Sequence, residues 1–207
     1  MYKERYKSME NLNERLLKQM DFVMEIDKLK RIVRQSYISG AERKETDTDH
    51  SWSLAMMVFL LSEYANEEID VLKTIKMVLI HDIVEIDAGD TYAYDTAGIA
   101  TQREREEKAA DRIFGLLPCD QGNELRSLWE EFEAEETAEA RFARTLDNVQ
   151  PVMLNDITDG IAWREHNVYE HQIMKRNKNT HKGSEELWKF QKSIIDENIK
   201  NGNIRKD

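Results

Sequence analysis

Cysteine and proline are almost missing from this chain, and glycine is scarce: its 207 residues include one Cys, two Pro and eight Gly. The lone Cys119 cannot close an internal disulfide, which fits a reducing compartment, so a cytoplasmic location is expected. With only Pro118 and Pro151 as strong breakers, most of the length is free to be helical. No apolar run approaches bilayer-spanning length and the start, Met1-Tyr2-Lys3-Glu4-Arg5, has no signal-peptide character, so no membrane association is expected. Positive charge is also short. Thirty Lys and Arg against 41 Asp and Glu leave a net charge of -11, which repels a nucleic-acid polymer over most of the surface. A small phosphorylated ligand stays acceptable where local cations offset that field.

What is present suits a helical domain: 40% of residues are hydrophobic and 34% charged, the balance of a globular protein with one sizeable core. We read an all-α fold with no internal repeat and no low-complexity linker. Leu16, Met20 and Val23, then Ile26, Leu29, Ile32 and Val33, have helical spacing, in a stretch that ends at Gly40. A helix opened by His50, apolar nearly all round and therefore expected to be buried, runs to about Ala65. The next spans about Asp70 to His81. A polar loop over 87–100 leads to a helix from about Gln102 to Leu117, closed by Pro118. Leu125, Leu128, Trp129 and Phe132 mark another, and one from about Thr137 carries Asp147 and is expected to kink at Pro151. Ser184 should cap a last helix burying Leu187, Phe190 and Ile194, and a polar tail over 198–207 is expected to fray.

The chemistry concentrates after an apolar run. Residues Val71 to Ile80 end in the doublet His81-Asp82, with Glu85 and Asp90 following closely. Unpaired burial of an imidazole and a carboxylate there costs several kcal/mol, on the order of 2–7 for a polar group, and a divalent cation is the simplest compensation. His50 and Asp147 stand on two other apolar helices, so three helices offer polar atoms to one interior point. Each residue also has a plainer reading. His50 alone suits a hydrogen-bonded core histidine, Asp147 an ion pair with Arg144, Glu85 a solvated charge and Asp90 a turn residue.

The order His50, His81-Asp82, Asp147, with Glu85 and Asp90 after the doublet, resembles the HD-domain phosphohydrolases, and within them the 5′-deoxynucleotidase-like branch. Asp49-His50-Ser51-Trp52 and the string from His81 to Thr91 carry the likeness, which covers about residues 26–165. It implies one HD-type domain over 1–207, a helical bundle around a central metal, with a C-terminal helical extension over about 166–200. It implies His50, His81, Asp82 and Asp147 as metal ligands, Glu85 and Asp90 as catalytic groups, and Asp90 and Arg34 as substrate contacts, with Arg34 clamping the phosphate. Residues 83 to 146 contain no histidine, which favours one divalent ion: manganese, cobalt, zinc, iron, nickel or magnesium. His166, His171 and His181 read as structural or solvated. Gln35 stands where the branch carries an aromatic against the substrate, and the segment from Thr91 to Asp95 also departs from the best-known relatives, so the pocket wall is expected to differ.

The reaction so implied is hydrolysis of the phosphate monoester of a (deoxy)nucleoside 5′-monophosphate. Its rivals are hydrolysis of another small phosphorylated metabolite or signalling nucleotide, and a metal-stabilised helical binding module without turnover. A homodimer is also expected, through the Trp129/Phe132 helix or the Leu187/Phe190 helix.

Overall fold

The computed structural model describes residues 12–94 and 96–207. Helix α1 (Glu14–Ile26) is capped by the Asn13 side chain, which accepts from the backbone N–H groups of Arg15 and Leu16. The expected face of Leu16, Met20 and Val23 is exposed, and Phe22 and Glu25 are buried instead. Glu25 tolerates burial because Lys28 and Arg112 both reach its carboxylate at 2.7 Å.

The helix expected to continue to Gly40 gives way to a hairpin. After a 3₁₀ turn (Asp27–Arg31), strand β1 (Val33–Tyr37) pairs antiparallel with β2 (Lys44–Thr46), Val33 opposite Thr46 and Tyr37 opposite Lys44. Gly40 at φ 91° and Ala41 at φ 58° turn the chain, a left-handed geometry that glycine takes at little cost. Arg34 therefore projects from a strand rather than from a helix.

Helix α2 (Asp47–Leu61) begins in a capping box between Thr46 and Asp49. It is not buried all round. Asp47, His50, Ser51, Leu54 and Val58 face inward, while Trp52, Met56, Phe59 and Leu60 are exposed. A 3₁₀ turn (Ser62–Tyr64) follows, and α3 (Val71–Ile80) is capped by Asp70. The chain then leaves regular helix through tight turns over 81–84, makes a single turn, α4 (Glu85–Ala88), and breaks at Gly89 with φ 75°.

Helix α5 (Thr96–Phe114) starts earlier than its sequence pattern suggested. Helix α6 (Cys119–Ala134) follows Pro118, and α7 (Ala138–Ile157) is capped by Thr137. Helix α7 runs on through Pro151, which has no N–H to offer the Asp147 carbonyl four residues back. The remaining helices are α8 (Ile161–Glu165), α9 (Glu170–Arg176) and α10 (Glu185–Lys200), the last capped by Ser184 as expected.

The main core packs Leu54, Val58, Met77, Ile113, Phe132, Phe142 and Leu146. Trp129 and Phe132 are 1% exposed and Leu187 is buried, whereas Phe190 on the same helix as Leu187 is exposed. A second core of Val152, Trp163, Val168, Ile173, Ile195 and Ile204 joins the C-terminal helices to α7. The tail does not fray: Asn203 and Ile204 are buried, and Arg205 exchanges backbone hydrogen bonds with Val168 and Glu170 at 3.0 and 2.9 Å. Among the described residues no helix is long and apolar enough to cross a membrane.

Close packing of the C-terminal segment on α7 has one point of no slack. A Cβ on Gly183 would lie 2.3 Å from the Arg141 carbonyl oxygen and 2.5 Å from Thr145 Oγ1. Overpacking against backbone is costly, so Gly183→Ala should destabilise by about 2 kcal/mol in urea unfolding. An unchanged unfolding midpoint would show that this contact yields freely.

Candidate metal centre

Three helices meet where the sequence placed the ligands. His50 faces inward from the first turns of α2, His81 and Asp82 follow the C-terminal end of α3, and Asp147 sits in mid-α7. One ligand atom each from His50, His81 and Asp147 lies within 4.8 Å of the others. Asp82 borders the same point, its Oδ1 3.1 Å from His81 Nε2 and its Oδ2 4.0 Å from His50 Nε2.

The tautomers follow from the outer hydrogen bonds. His81 Nδ1 is 2.8 Å from the Val78 carbonyl, which can only accept, so Nδ1 carries the proton and Nε2 presents a lone pair. His50 Nδ1 is 2.9 Å from Gln150 Oε1, and Gln150 Nε2 in turn donates to Glu45 Oε1 at 2.6 Å, which fixes the amide orientation. His50 Nε2 thus also turns a lone pair towards Asp147 Oδ1 at 3.1 Å. Two imidazole lone pairs facing carboxylate oxygens repel unless positive charge sits among them. His81 Nε2 is buried without a hydrogen-bond partner. Without a cation that charge is a proton on Nε2: burial disfavours a charged His81, yet Asp82 and Asp147 outweigh it and push its pKa up to about 10, so a metal would have to displace this proton to take the lone pair. The outer partners are of the kind that orient metal-binding histidines, so the donor set fits a divalent cation held by His50, His81, Asp147 and Asp82.

Asp147 combines the two readings its sequence allowed. Its Oδ1 meets the histidines, while its Oδ2 accepts from Arg144 and Arg176, both at 3.1 Å. Burial opposes its ionisation, but the His50 and His81 hydrogen bonds and the two arginines hold it well below the usual carboxylate range. Arg144 is occupied further by Glu133 at 2.9 Å and lies over the Phe132 ring.

A second acidic group adjoins the first. Asp47, Glu85 and Asp90 also offer oxygens within 4.8 Å of one another. Asp47 Oδ2 and Glu85 Oε2 are buried with no partner. Burial, reinforced by Asp82, raises Asp47 to about 8; burial and the neighbouring carboxylates Asp82, Asp47 and Asp90 raise Glu85 well above the ordinary range, and burial raises Asp90. These carboxyls hold protons, and a cation bound beside Asp82 would displace the one on Glu85.

Arg34 spans the two groups, at 2.8 Å from Asp82, 3.4 Å from Asp47 and 3.7 Å from Glu45. It is largely buried, and the carboxylates lie against its Nη1 and Nε. Arg43 pairs with Asp49, and the Gln35 side chain, on the cavity lining, accepts from Lys44 at 2.6 Å. His166 stacks on Tyr92 with ring centroids 4.5 Å apart; His171 and His181 are exposed. A cavity of about 490 Å³ opens over the site, bordered by Arg34, Glu85, Asp90, Tyr94, Trp163 and Arg176.

Sequence reasoning missed Glu45, Asp47 and Arg176. Asp47 precedes His50 by three residues on one helical face, a spacing that could have marked it. Arg176 arrives from α9, and nothing local in its sequence marks it.

A family model for the HD domain matches residues 26–188. The chain belongs to the HD-domain family. It is 30% identical over 135 residues to the human 5′-deoxynucleotidase HDDC2, an alignment covering 65% of each protein. The Dictyostelium discoideum 5′-deoxynucleotidase HDDC2 is likewise 30% identical, over 65% of this chain and 74% of that one. Thus the chain spans just under two thirds of the length of the human and bovine relatives it matches. A solved structure titled as a predicted metal-dependent phosphohydrolase from Magnetospirillum magnetotacticum MS-1 superposes with a TM-score of 0.88 at 47% identity, covering 92% of this chain and 95% of that chain.

If the site takes a cation, binding stabilises the fold by mass action. Protein stripped with a chelator should melt at higher temperature when manganese or cobalt is restored, and by more at pH 8 than at pH 5, because the proton on His81, whose pKa is raised to about 10, competes with the ion and does so more strongly as pH falls. His50→Ala should abolish the increment. An equal increment in His50→Ala would place the ion elsewhere.

Proposed function

We propose that this chain is a metal-dependent phosphohydrolase that cleaves the phosphate monoester of (deoxy)nucleoside 5′-monophosphates, with one divalent cation at His50, His81, Asp82 and Asp147. The observation that carries the proposal is the pair of imidazole lone pairs aimed with Asp82 and Asp147 at one point below a cavity. A metal-stabilised binding module needs ligands only; the spare carboxylates Glu85 and Asp90 and the guanidinium of Arg34 favour turnover. The names of the relatives favour a nucleoside monophosphate as substrate.

When bound, the cation supplies Lewis acidity to the phosphoryl group and lowers the pKa of water. Glu85, beside Asp82 and Asp47, accepts the proton of the attacking water. As the new oxygen–phosphorus bond forms, the bond to the 5′ oxygen breaks, and Asp90 gives that oxygen its proton. A raised pKa suits Asp90 to the donor role. Arg34 offsets charge on the phosphate with the guanidinium nitrogen left free by Asp82 and Asp47, and Arg176 adds positive charge at the opposite wall. Tyr94 and Trp163 line the cavity where the base and sugar would lie, in place of the aromatic that Gln35 does not provide. We further propose a cytoplasmic location and assembly as a homodimer.

Phosphate release from a panel of deoxy- and ribonucleoside monophosphates, with manganese, cobalt or magnesium added, tests the substrate class; release from none of them would remove it. Glu85→Gln should keep its metal while turnover falls by about 10²-fold or more, and an undiminished rate would exclude it from proton transfer. Arg34→Ala should lower kcat/KM by roughly 10²-fold at unchanged metal content, with little recovery in Arg34→Lys, because a single ammonium cannot hold Asp82 and the phosphate from two separate nitrogens as the guanidinium does. Equal activity in both variants and the parent would remove the phosphate contact.

A further inference from the structure

Asp90 sits in a stretch without regular structure, between the break at Gly89 and the start of α5 at Thr96. Its side-chain neighbours cannot hold it there. Asp47 and Glu85 put carboxyl oxygens within 4.8 Å of its own, and carboxyls so placed repel one another as soon as more than one is ionised. A carboxyl that must meet one particular oxygen of a substrate then depends on how its backbone is held.

Arg105 reaches that backbone from a firm base. It stands on α5, whose next turns bury Ala109, Ala110 and Ile113 in the main core. Its guanidinium donates from Nη1 to the Ala88 carbonyl and from Nη2 to Thr91 Oγ1 at 2.8 Å, so one fork takes the chain on both sides of Asp90. Nη2 also reaches the Gly98 carbonyl at 3.3 Å, and Nε reaches Thr101 Oγ1 at 3.4 Å. All four acceptors are neutral. The chain carries 41 acidic residues, yet none of the described ones pairs with Arg105, so its charge serves chain geometry and not an ion pair. Charge-assisted bonds from a rigid fork fix two acceptors relative to each other, which a lone neutral donor cannot do. The other restraints nearby are single contacts, the Gly89 N–H on the Glu85 carbonyl at 2.8 Å and the Tyr92 ring on His166. We propose that Arg105 is a positioning residue, clamping the chain on both sides of Asp90 so that its carboxyl meets the leaving 5′ oxygen.

This role rests on the hydrolysis proposed above, in which Asp90 passes its proton to the 5′ oxygen as the bond to phosphorus breaks. A leaving thiolate needs no such proton. Single-turnover rates are compared for the nucleoside monophosphate that the parent cleaves fastest and for its analogue with sulfur in place of the bridging 5′ oxygen. Asp90→Asn and Arg105→Ala should each lose about 10²-fold on the oxygen substrate, the scale of a lost or displaced proton donor, and less than about threefold on the sulfur analogue. Thr91→Val removes one acceptor at nearly unchanged volume, and should lose about tenfold on the oxygen substrate alone even if Arg105→Ala misfolds. The Asp90→Asn/Arg105→Ala double variant should be no slower than Asp90→Asn, because two residues acting through one carboxyl are not additive. Equal losses on both substrates in Arg105→Ala and Thr91→Val, or additive losses in the double variant, would overturn the role of Arg105 while Asp90→Asn keeps its selectivity. Equal losses in Asp90→Asn would remove the proton donor, and a parent that cleaves no nucleoside monophosphate would remove the reaction; either takes the role of Arg105 with it.

Discussion

The excess of negative charge at the floor of one cavity constrains the rest of this molecule. Glu45, Asp47, Asp82, Glu85 and Asp147 are buried and Asp90 is half-buried. Taking ions out of water costs several kcal/mol each unless charge and hydrogen bonds compensate. Arg34, Arg144 and Arg176 answer part of it, and Arg144 is already shared with Glu133 and Glu135. Protons held by Asp47, Glu85 and Asp90 answer another part. The histidine lone pairs mark where the remaining positive charge belongs. A site so poised favours a divalent cation and an anionic ligand drawn to it, which is why an acidic protein can be expected to handle phosphate.

Several features of the fold serve that arrangement. The hairpin places Arg34 and Glu45 on adjoining strands, so the cation and carboxylate approach the site from one small sheet. The chain leaves regular helix after Ile80, and the turns over 81–84 bury His81, Asp82 and Glu85 together. The C-terminal helices close the other wall. Gln191 of α10 donates to the Asn148 carbonyl at 2.7 Å and to Asn177 Oδ1 at 2.8 Å, and Asn148 Nδ2 reaches Thr180 Oγ1 at 3.2 Å. These buried bonds tie Arg176 and Asp147 to the same rigid body.

Much of this was legible in sequence because it depends on local spacing. Helical periodicity and caps located α3, α7 and α10, and the ordered histidines and aspartates marked the residues that converge. The hairpin was not legible: Ile32 and Val33 continue a helical spacing, and only the tertiary role of Arg34 distinguishes a strand there. The apolar run of α2 gave no sign of which side faces water, since hydrophobicity alone does not separate core from surface. Burial of Trp129, Phe132 and Ile204 is set by long-range packing, as is the arrival of Arg176. Asp95 of the departing segment lies outside the described residues.

The central claim is that a divalent cation sits among His50, His81, Asp82 and Asp147. Anomalous scattering from crystals of manganese-loaded protein tests it directly. The account predicts a single strong peak at about 2.0–2.2 Å from both Nε2 atoms, with an oxygen of each aspartate at similar range. Loaded crystals without density at that point, or with manganese bound only at the protein surface, would contradict it.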